Sequence, residues 1–322
     1  MQLPAELRES ITRALEHVSR NALAERARRF SELYRGGGGS ATAIRDEADA
    51  LAYAVARMPA TYGAVRNALA RLAARCPEFA PRSVLDLGAG PGTASWAAID
   101  AWPQIETIAQ VDSNRWLLGL GVRLAKTAAP ALRDAERISS DIVRSESLRS
   151  ADLVLVSYTL AELGNSEVDA VLRSAWAACR GALAVVEPGT PQAYARILGA
   201  REVLLALGAR LAAPCPHAAP CPLAAPDWCH FAERVARTRD HMLVKSAELP
   251  YEDEKFSYVV AVREELFHPA EKDRILARPE AGSACITLKL CRRDGSAALV
   301  TIGKRHREEF KRAKKKDWGD EA

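Results

Sequence analysis

VLDLGAGPGTAS, residues 84–95, decides how the rest of the chain is read. A short apolar run leads into Gly88, Gly90 and Gly92, spaced G-x-G-x-G, and a helical run follows from residue 93. Glycine admits a left-handed backbone and lets the main chain approach a ligand, while the next helix begins with unbonded N–H groups. A second apolar run, ETIAQVD (106–112), ends on Asp112, twenty residues beyond Gly92. An acid there is placed to accept hydrogen bonds from ribose hydroxyls.

Outward from this stretch the pattern repeats. Further strands are expected at RISSD (137–141), ADLVLVSY (151–158) and GALAVVEPG (181–189), separated by helices near 93–101, 115–127, 162–179 and 191–211. Alternating apolar strands and helices predict an α/β fold with a parallel sheet covered on both faces. Residues 1–34 and 43–76 read as helices, joined by the flexible GGGGS at 36–40. FSYVVAVRE (256–264), ACITLKLC (284–291) and AALVTIG (297–303) read as late antiparallel strands closing the sheet, the last two joined by the turn RRDG. The expected division is an N-terminal helical region (1–80), a Rossmann-like core (81–212), a cysteine-rich segment with closing strands (213–303) and a basic tail (304–322).

The glycine pattern favours S-adenosylmethionine over a dinucleotide. Asp86 precedes the glycines, and D-x-G-x-G-x-G resembles motif I of class I methyltransferases, whereas a dinucleotide site keeps G-x-G-x-x-G. The cofactor residues expected are Asp86, Gly88, Gly90, Gly92, Asp112 and Asp141, with Ser140 and Asp141 beside the adenine. Catalysis is less legible. The fourth strand ends SYTLAEL (157–163), without the [DN]-P-P-[YF] arrangement of amino-methylating enzymes, and no cysteine ends the fourth or fifth strand. Tyr158, Glu162 and Glu187 remain weak catalytic candidates, each equally readable as a polar residue at a strand end.

With 322 residues and 48% apolar composition the chain can bury a full core. No uncharged apolar run reaches the ~18 residues of a membrane span, and the start reads as an amphipathic helix rather than a leader. A reducing, cytoplasmic setting is expected, and seven cysteines, an odd number, fit a disulfide framework poorly. Residues 303–316 hold eight Lys or Arg against two Glu, so the net +4 is a basic tail on a near-neutral body. With Arg234, Arg237, Arg239, His241 and Lys245, that tail is a candidate surface for tracking an RNA backbone. A solvated helix face and a disordered tail are the plainer reading of the same residues.

APCPHAAPCPLAAPDWCHF (213–231) crowds three cysteines, two histidines and five prolines into a stretch that cannot be helical. Cys215, Cys221 and Cys229 are spaced C-x5-C-x7-C, with Cys285 or Cys291 available from the later hairpin and His217 and His230 as alternative ligands. A bound metal would constrain a loop too poor in apolar side chains to build its own core. Zinc more often uses a tight C-x2–4-C knuckle, and iron–sulfur clusters tolerate irregular spacing. Spacing alone leaves both open.

The run CPHAAPCPL…DWCHF…LPYEDEKFSYV (215–259), with VLDLGAGPGTAS, residues 153–163, VVEPGTPQAYARIL (185–198) and the closing KKKDWGD, resembles the methyltransferase-like family of the small ribosomal subunit. The likeness covers roughly residues 45–320. It implies a class I methyltransferase fold and association with the small ribosomal subunit and its rRNA. It also implies a [4Fe–4S] cluster on four cysteines, which by position are Cys215, Cys221, Cys229 and, for the fourth, Cys291. Cys76 and Cys179 match nothing and are expected in the core. The expectation is a monomeric protein that binds S-adenosylmethionine and a cluster and acts on or with small-subunit rRNA during ribosome assembly. A non-catalytic assembly factor on the same scaffold and a zinc-stabilised small-molecule methyltransferase are the alternatives.

Overall fold

The computed structural model describes residues 1–35, 43–144 and 148–322. The GGGGS connector expected at 36–40 lies outside them. Five parallel strands form the centre of the main sheet: β1 (Ser83–Leu87), β2 (Thr107–Asp112), β3 (Glu136–Ser139), β4 (Ala151–Ser157) and β5 (Cys179–Pro188). β6 (Arg210–Ala213), β7 (Phe231–Ala236) and β8 (Tyr251–Val262) complete it, giving the order β3-β2-β1-β4-β5-β8-β6. β8 runs antiparallel to both β5 and β6, and its first half also pairs with β7. One antiparallel strand beyond a 3-2-1-4-5 parallel core is the class I methyltransferase arrangement.

The apolar runs alternate as a two-faced sheet requires. Val84, Leu153, Leu155, Ala182 and Val260 face the Glu47–Arg75 helix and its neighbours. Leu85, Leu87, Val154, Leu183 and Val259 face the other way, onto the Asn165–Ala178 and Pro191–Ala206 helices. The long helix starts where Asp46 accepts the Asp49 N–H (2.7 Å). The Arg20–Arg35 helix is held to it by Arg26 and Arg29, both paired with the buried Asp49.

The late strands depart from expectation. β11 (Cys285–Cys291) and β12 (Ala297–Gly303) do form the hairpin, yet they do not close the main sheet. With β9 (Arg274–Ile275) and β10 (Glu280–Ala281) they build a second sheet of four strands with its own small core, including Ile275, Ile286 and Leu288. The helix expected over 191–211 stops at Ala206, and residues 210–213 pair with β8 instead. The basic tail is folded in part: Arg307–Ala313 is a helix, and Arg71 and Arg75 pair with Asp320 (3.1 Å) and Glu321 (2.5 Å). Among the described residues no helix is long and apolar enough to cross a membrane.

Candidate functional site

The glycine loop lies at the C-terminal ends of β1 and β2, where doubly wound sheets bind ligands. Gly88, Gly90 and Gly92 all have positive φ (70°, 55° and 84°). A Cβ on Gly88 would lie 2.2 Å from Thr159 Oγ1, and one on Gly92 would lie 2.4 Å from Gln110 Nε2. Glycine is therefore required twice over, by conformation and by space. Asp112 Oδ2 accepts the Gly90 N–H and Oδ1 the Asn114 N–H, both at 2.7 Å. Burial pushes its carboxyl up, and these two bonds oppose the rise.

A cleft of about 200 Å³ opens here, walled by Gly88, Gly90, Asp112, Asp141, Tyr158 and Glu162 among others. Asp86 and Gly92 stand behind it. Asp86 is fully buried, and its Oδ2 accepts both the backbone N–H (3.1 Å) and the hydroxyl (2.6 Å) of Ser95, bracing the loop to the next helix. Burial raises it to about 6 despite those bonds, and Oδ1 has no partner.

Glu187 is also withdrawn from the cleft. Its Oε1 accepts the N–H groups of Thr159 and Leu160, each at 2.9 Å, while Oε2 has no partner. Burial pushes this carboxyl up to about 7. The two bonds fix the turn after β4, in which Tyr158 sits at φ 56° and its hydroxyl donates to Glu254 (2.8 Å). Tyr53, Tyr158 and Glu162 also line a second cavity of about 890 Å³. This larger space lies under the Arg20–Arg35 and Arg239–Lys245 helices and carries Arg28, Arg57 and Arg196 on its walls. Sharing those three residues, it adjoins the glycine cleft.

Cys215, Cys221, Cys229 and Cys291 line a third cavity together, on the far side of the Pro191–Ala206 helix. Cys285 is not among its walls, and Cys76 and Cys179 are buried elsewhere as core thiols. Among the described residues no three His, Cys, Asp or Glu are drawn together as a metal ion would hold them. Polar side chains reach the sulfurs: Tyr194 Oη lies 3.0 Å from Cys221 Sγ, His217 Nε2 lies 3.3 Å from Cys291 Sγ, and the Arg201 guanidinium faces Cys215. Burial comes first in raising Cys229 well above its ordinary value and Cys291 to about 12, with the neighbouring thiols adding to it. His230 lies away from these walls, stacked on Trp228 (4.8 Å) and edge-on to Trp318 (4.8 Å). A soft, mostly apolar pocket lined by four thiols has the donor chemistry of a metal–thiolate site, although the sulfurs are not gathered around one point.

The basic residues split into two groups. Arg234 pairs with Asp253 (2.7 Å), Arg237 and Lys245 pair with Glu252 (2.7 and 2.6 Å), and His241 is 1% exposed. Burial lowers His241 to about 4. The expected basic strip at 234–245 is thus spent on the acids of β8, leaving Arg239 exposed. Lys304, Arg305, Arg307, Arg312, Lys314 and Lys315 remain exposed on the tail.

Sequence reasoning missed Tyr194, Arg201, Arg274 and Thr159. Tyr194 and Arg201 are seven residues apart and share a helix face, but only the fold shows that this face meets the cysteines.

The family profile described as mitochondrial small ribosomal subunit Rsm22 matches residues 47–322. The human mitochondrial ribosome assembly protein METTL17 is 28% identical over 292 residues, which is 84% of this chain. The chain spans 61% of that relative's length. Among solved structures, magnesium protoporphyrin IX methyltransferase of Synechocystis with bound SAM is similar at 16% identity and TM-score 0.42, over 64% of this chain and 80% of that one. The N-methyltransferase NodS of Bradyrhizobium japonicum, with S-adenosyl-L-homocysteine, is similar at 12% identity and TM-score 0.39, over 62% and 85%.

Proposed function

The chain belongs to the mitochondrial small ribosomal subunit Rsm22 family, and from that premise we propose that it is an S-adenosylmethionine-binding metal–thiolate protein that engages small-subunit ribosomal RNA during ribosome assembly. The observation that carries this reading is the coexistence, in one chain, of an open glycine cleft and a four-thiol cavity. Gly88 and Gly90 bring the backbone against the ligand, and Asp112 has lone pairs left for ribose hydroxyls after binding Gly90 and Asn114. Cys215, Cys221, Cys229 and Cys291 would hold a [4Fe–4S] cluster. Such a group supplies a cross-link between the proline-rich loop and the second sheet, and one-electron chemistry. The exposed cations of residues 304–315 support contact with an RNA backbone, which binds by counterion release without reading sequence.

A methyl donor in the cleft would face the larger cavity across Tyr158 and Glu162. The acceptor enters from there if transfer occurs. A second reading, a non-catalytic assembly factor, is favoured by a specific observation: Glu187 and the Tyr158 hydroxyl are already committed to Thr159, Leu160 and Glu254. On that reading a bound ligand stabilises the RNA-binding shape by mass action alone.

The test begins with protein purified without oxygen, on which the absorption spectrum and iron, sulfide and zinc contents are measured. About four irons and four sulfides per chain, with broad visible absorption, support the cluster. One zinc and no colour replace it with a structural zinc site, and no metal removes the metal reading. Calorimetry with S-adenosylhomocysteine then tests the cleft, and methyl transfer from labelled donor to small-subunit rRNA separates enzyme from scaffold.

A further inference from the structure

The cysteine cavity is walled by two guanidinium groups as well as by thiols. Arg201 is 4% exposed. Its Nη2 donates to the carbonyls of His217 (3.2 Å) and Ala219 (2.6 Å), both in the loop between Cys215 and Cys221. Among the described residues its Nε has no hydrogen-bond partner within normal geometry and no ion pair with a carboxylate includes it, while the guanidinium faces Cys215. Arg274 is also 4% exposed, with Nε on the Pro214 carbonyl (3.1 Å) and Nη1 on the Gly319 carbonyl (2.7 Å). Among the described residues its carboxylate partner is Glu321, 3.5 Å from Nη2, and Arg75 holds that same carboxylate more closely at 2.5 Å.

Carbonyl partners satisfy N–H groups but do not cancel charge. A guanidinium taken out of water is strongly disfavoured unless a counter-ion is supplied. Around Arg201 the groups able to carry negative charge within the cavity are the sulfurs of Cys215, Cys221, Cys229 and Cys291. A centre with four thiolates around a core of charge 2+ has net charge 2−, and two guanidinium groups balance it. A neutral cavity of four thiols would leave Arg201 unbalanced.

We infer that Arg201 and Arg274 are the built-in counter-charges of an anionic tetrathiolate centre, and that Arg201 sets how strongly metal is held and how readily the centre takes an electron. The inference rests on the metal reading of the four cysteines given above. One-electron reduction adds a negative charge to the centre, with the electron supplied by a low-potential viologen dye. A neighbouring cation stabilises the reduced form, so removing it drives the potential negative. Arg201 is a positioning and charge-balancing residue; it is not a ligand.

The test uses the full chain, anaerobically loaded with iron and sulfide, as wild type, Arg201→Gln and Arg201→Lys. Arg201→Gln should lower the reduced-to-oxidised ratio at fixed potential at least tenfold, a shift of 59 mV for one electron. In zinc-loaded samples it should release metal to a competing chelator at least tenfold more readily. Arg201→Lys should stay within threefold of wild type in both assays, because it keeps the charge while losing the Nη2 group that bonds both carbonyls. A purely structural role predicts that Lys and Gln fail alike, and that result overturns the inference, as does a Gln variant equal to wild type. If Arg201→Gln does not fold, Arg274→Gln takes its place with the same expected direction and the same refuting result. Failure of the metal reading itself looks different: the wild-type chain then takes up neither iron–sulfide nor zinc.

Discussion

Replacing Glu187 by Gln should leave stability nearly unchanged at pH 5 and make the protein more stable than wild type at pH 8, with a change of about 3 kcal/mol between the two. The reasoning starts from a fully buried carboxyl that binds two backbone N–H groups through one oxygen and nothing through the other. Burial lifts it from an ordinary 4.5 to about 7, opposed by those two bonds and by the nearby Arg196 charge, and helped slightly by Glu162. Between those two values the native chain holds a proton that the unfolded chain has released. Wild-type stability therefore falls as pH rises through that window, by about 1.4 kcal/mol for each of roughly 2.5 pH units. Gln keeps a carbonyl oxygen for Thr159 and Leu160 and cannot ionise. Asp86, raised to about 6 by burial, adds a similar slope at lower pH, but it is present in both proteins and cancels in the comparison. The assay is urea unfolding followed by tryptophan fluorescence at pH 5, 6, 7 and 8, with both proteins at equal metal content. Any constant offset reflects shape and hydrogen bonding. A difference that stays constant across this range, or one that moves against Gln as pH rises, refutes the argument.

Gly88→Ala should weaken S-adenosylhomocysteine binding more than tenfold in calorimetry, because the added methyl meets Thr159 at 2.2 Å and the backbone has φ +70°; equal affinity removes the cleft assignment. Cys221→Ser should lose most bound metal while Cys285→Ser keeps it, since only the first lines the four-thiol cavity; elemental analysis of the two variants decides. Lys314→Glu combined with Lys315→Glu should weaken binding to small-subunit rRNA and flatten the plot of log K against log salt by about one for each phosphate no longer neutralised. Arg234→Ala should change neither quantity, because that side chain is already paired with Asp253 at 2.7 Å.

Local signals were readable and distant pairings were not. The G-x-G-x-G turn specifies its own conformation, so the helix at 93–101 was legible to the residue, and the fully apolar runs of β1, β4 and β5 announced a covered parallel sheet. RLAA at 210–213 follows a long Ala- and Leu-rich helix that Gly208, at φ 78°, ends with a left-handed glycine cap, a signal present in the sequence; the residues beyond it become a strand because β8 offers them an edge. The turn RRDG and the alternation around it specify a hairpin between β11 and β12, but a hairpin does not say which sheet it joins. Charge misled for the same reason. Arg234, Arg237 and Lys245 look like a basic strip until β8 brings Glu252 and Asp253 against them. Cys285 and Cys291 have the same side-chain parity but stand at opposite ends of β11, and only the place where that strand meets the proline-rich loop brings Cys291, and not Cys285, to the cavity.

The Pro191–Ala206 helix supplies walls to both the cysteine cavity and the large cavity beside the glycine cleft. Gln192, Ala193 and Arg196 line the large cavity that adjoins the glycine cleft, while Tyr194, Ile197 and Arg201 line the cysteine cavity. The helix is anchored at its start, where Thr190 caps it through the Ala193 N–H (3.2 Å), and it packs on β5 through buried residues such as Ile197 and Leu204. A rigid element with side chains in two cavities cannot shift for one without moving for the other. Variants on this helix must therefore be assayed at both sites, for adenosyl-ligand affinity and for metal content. By linkage, any factor by which metal changes ligand affinity must equal the factor by which ligand changes metal affinity. A factor different from one would identify equilibrium coupling across the helix. A factor of one in both directions would show that a variant affects each site separately.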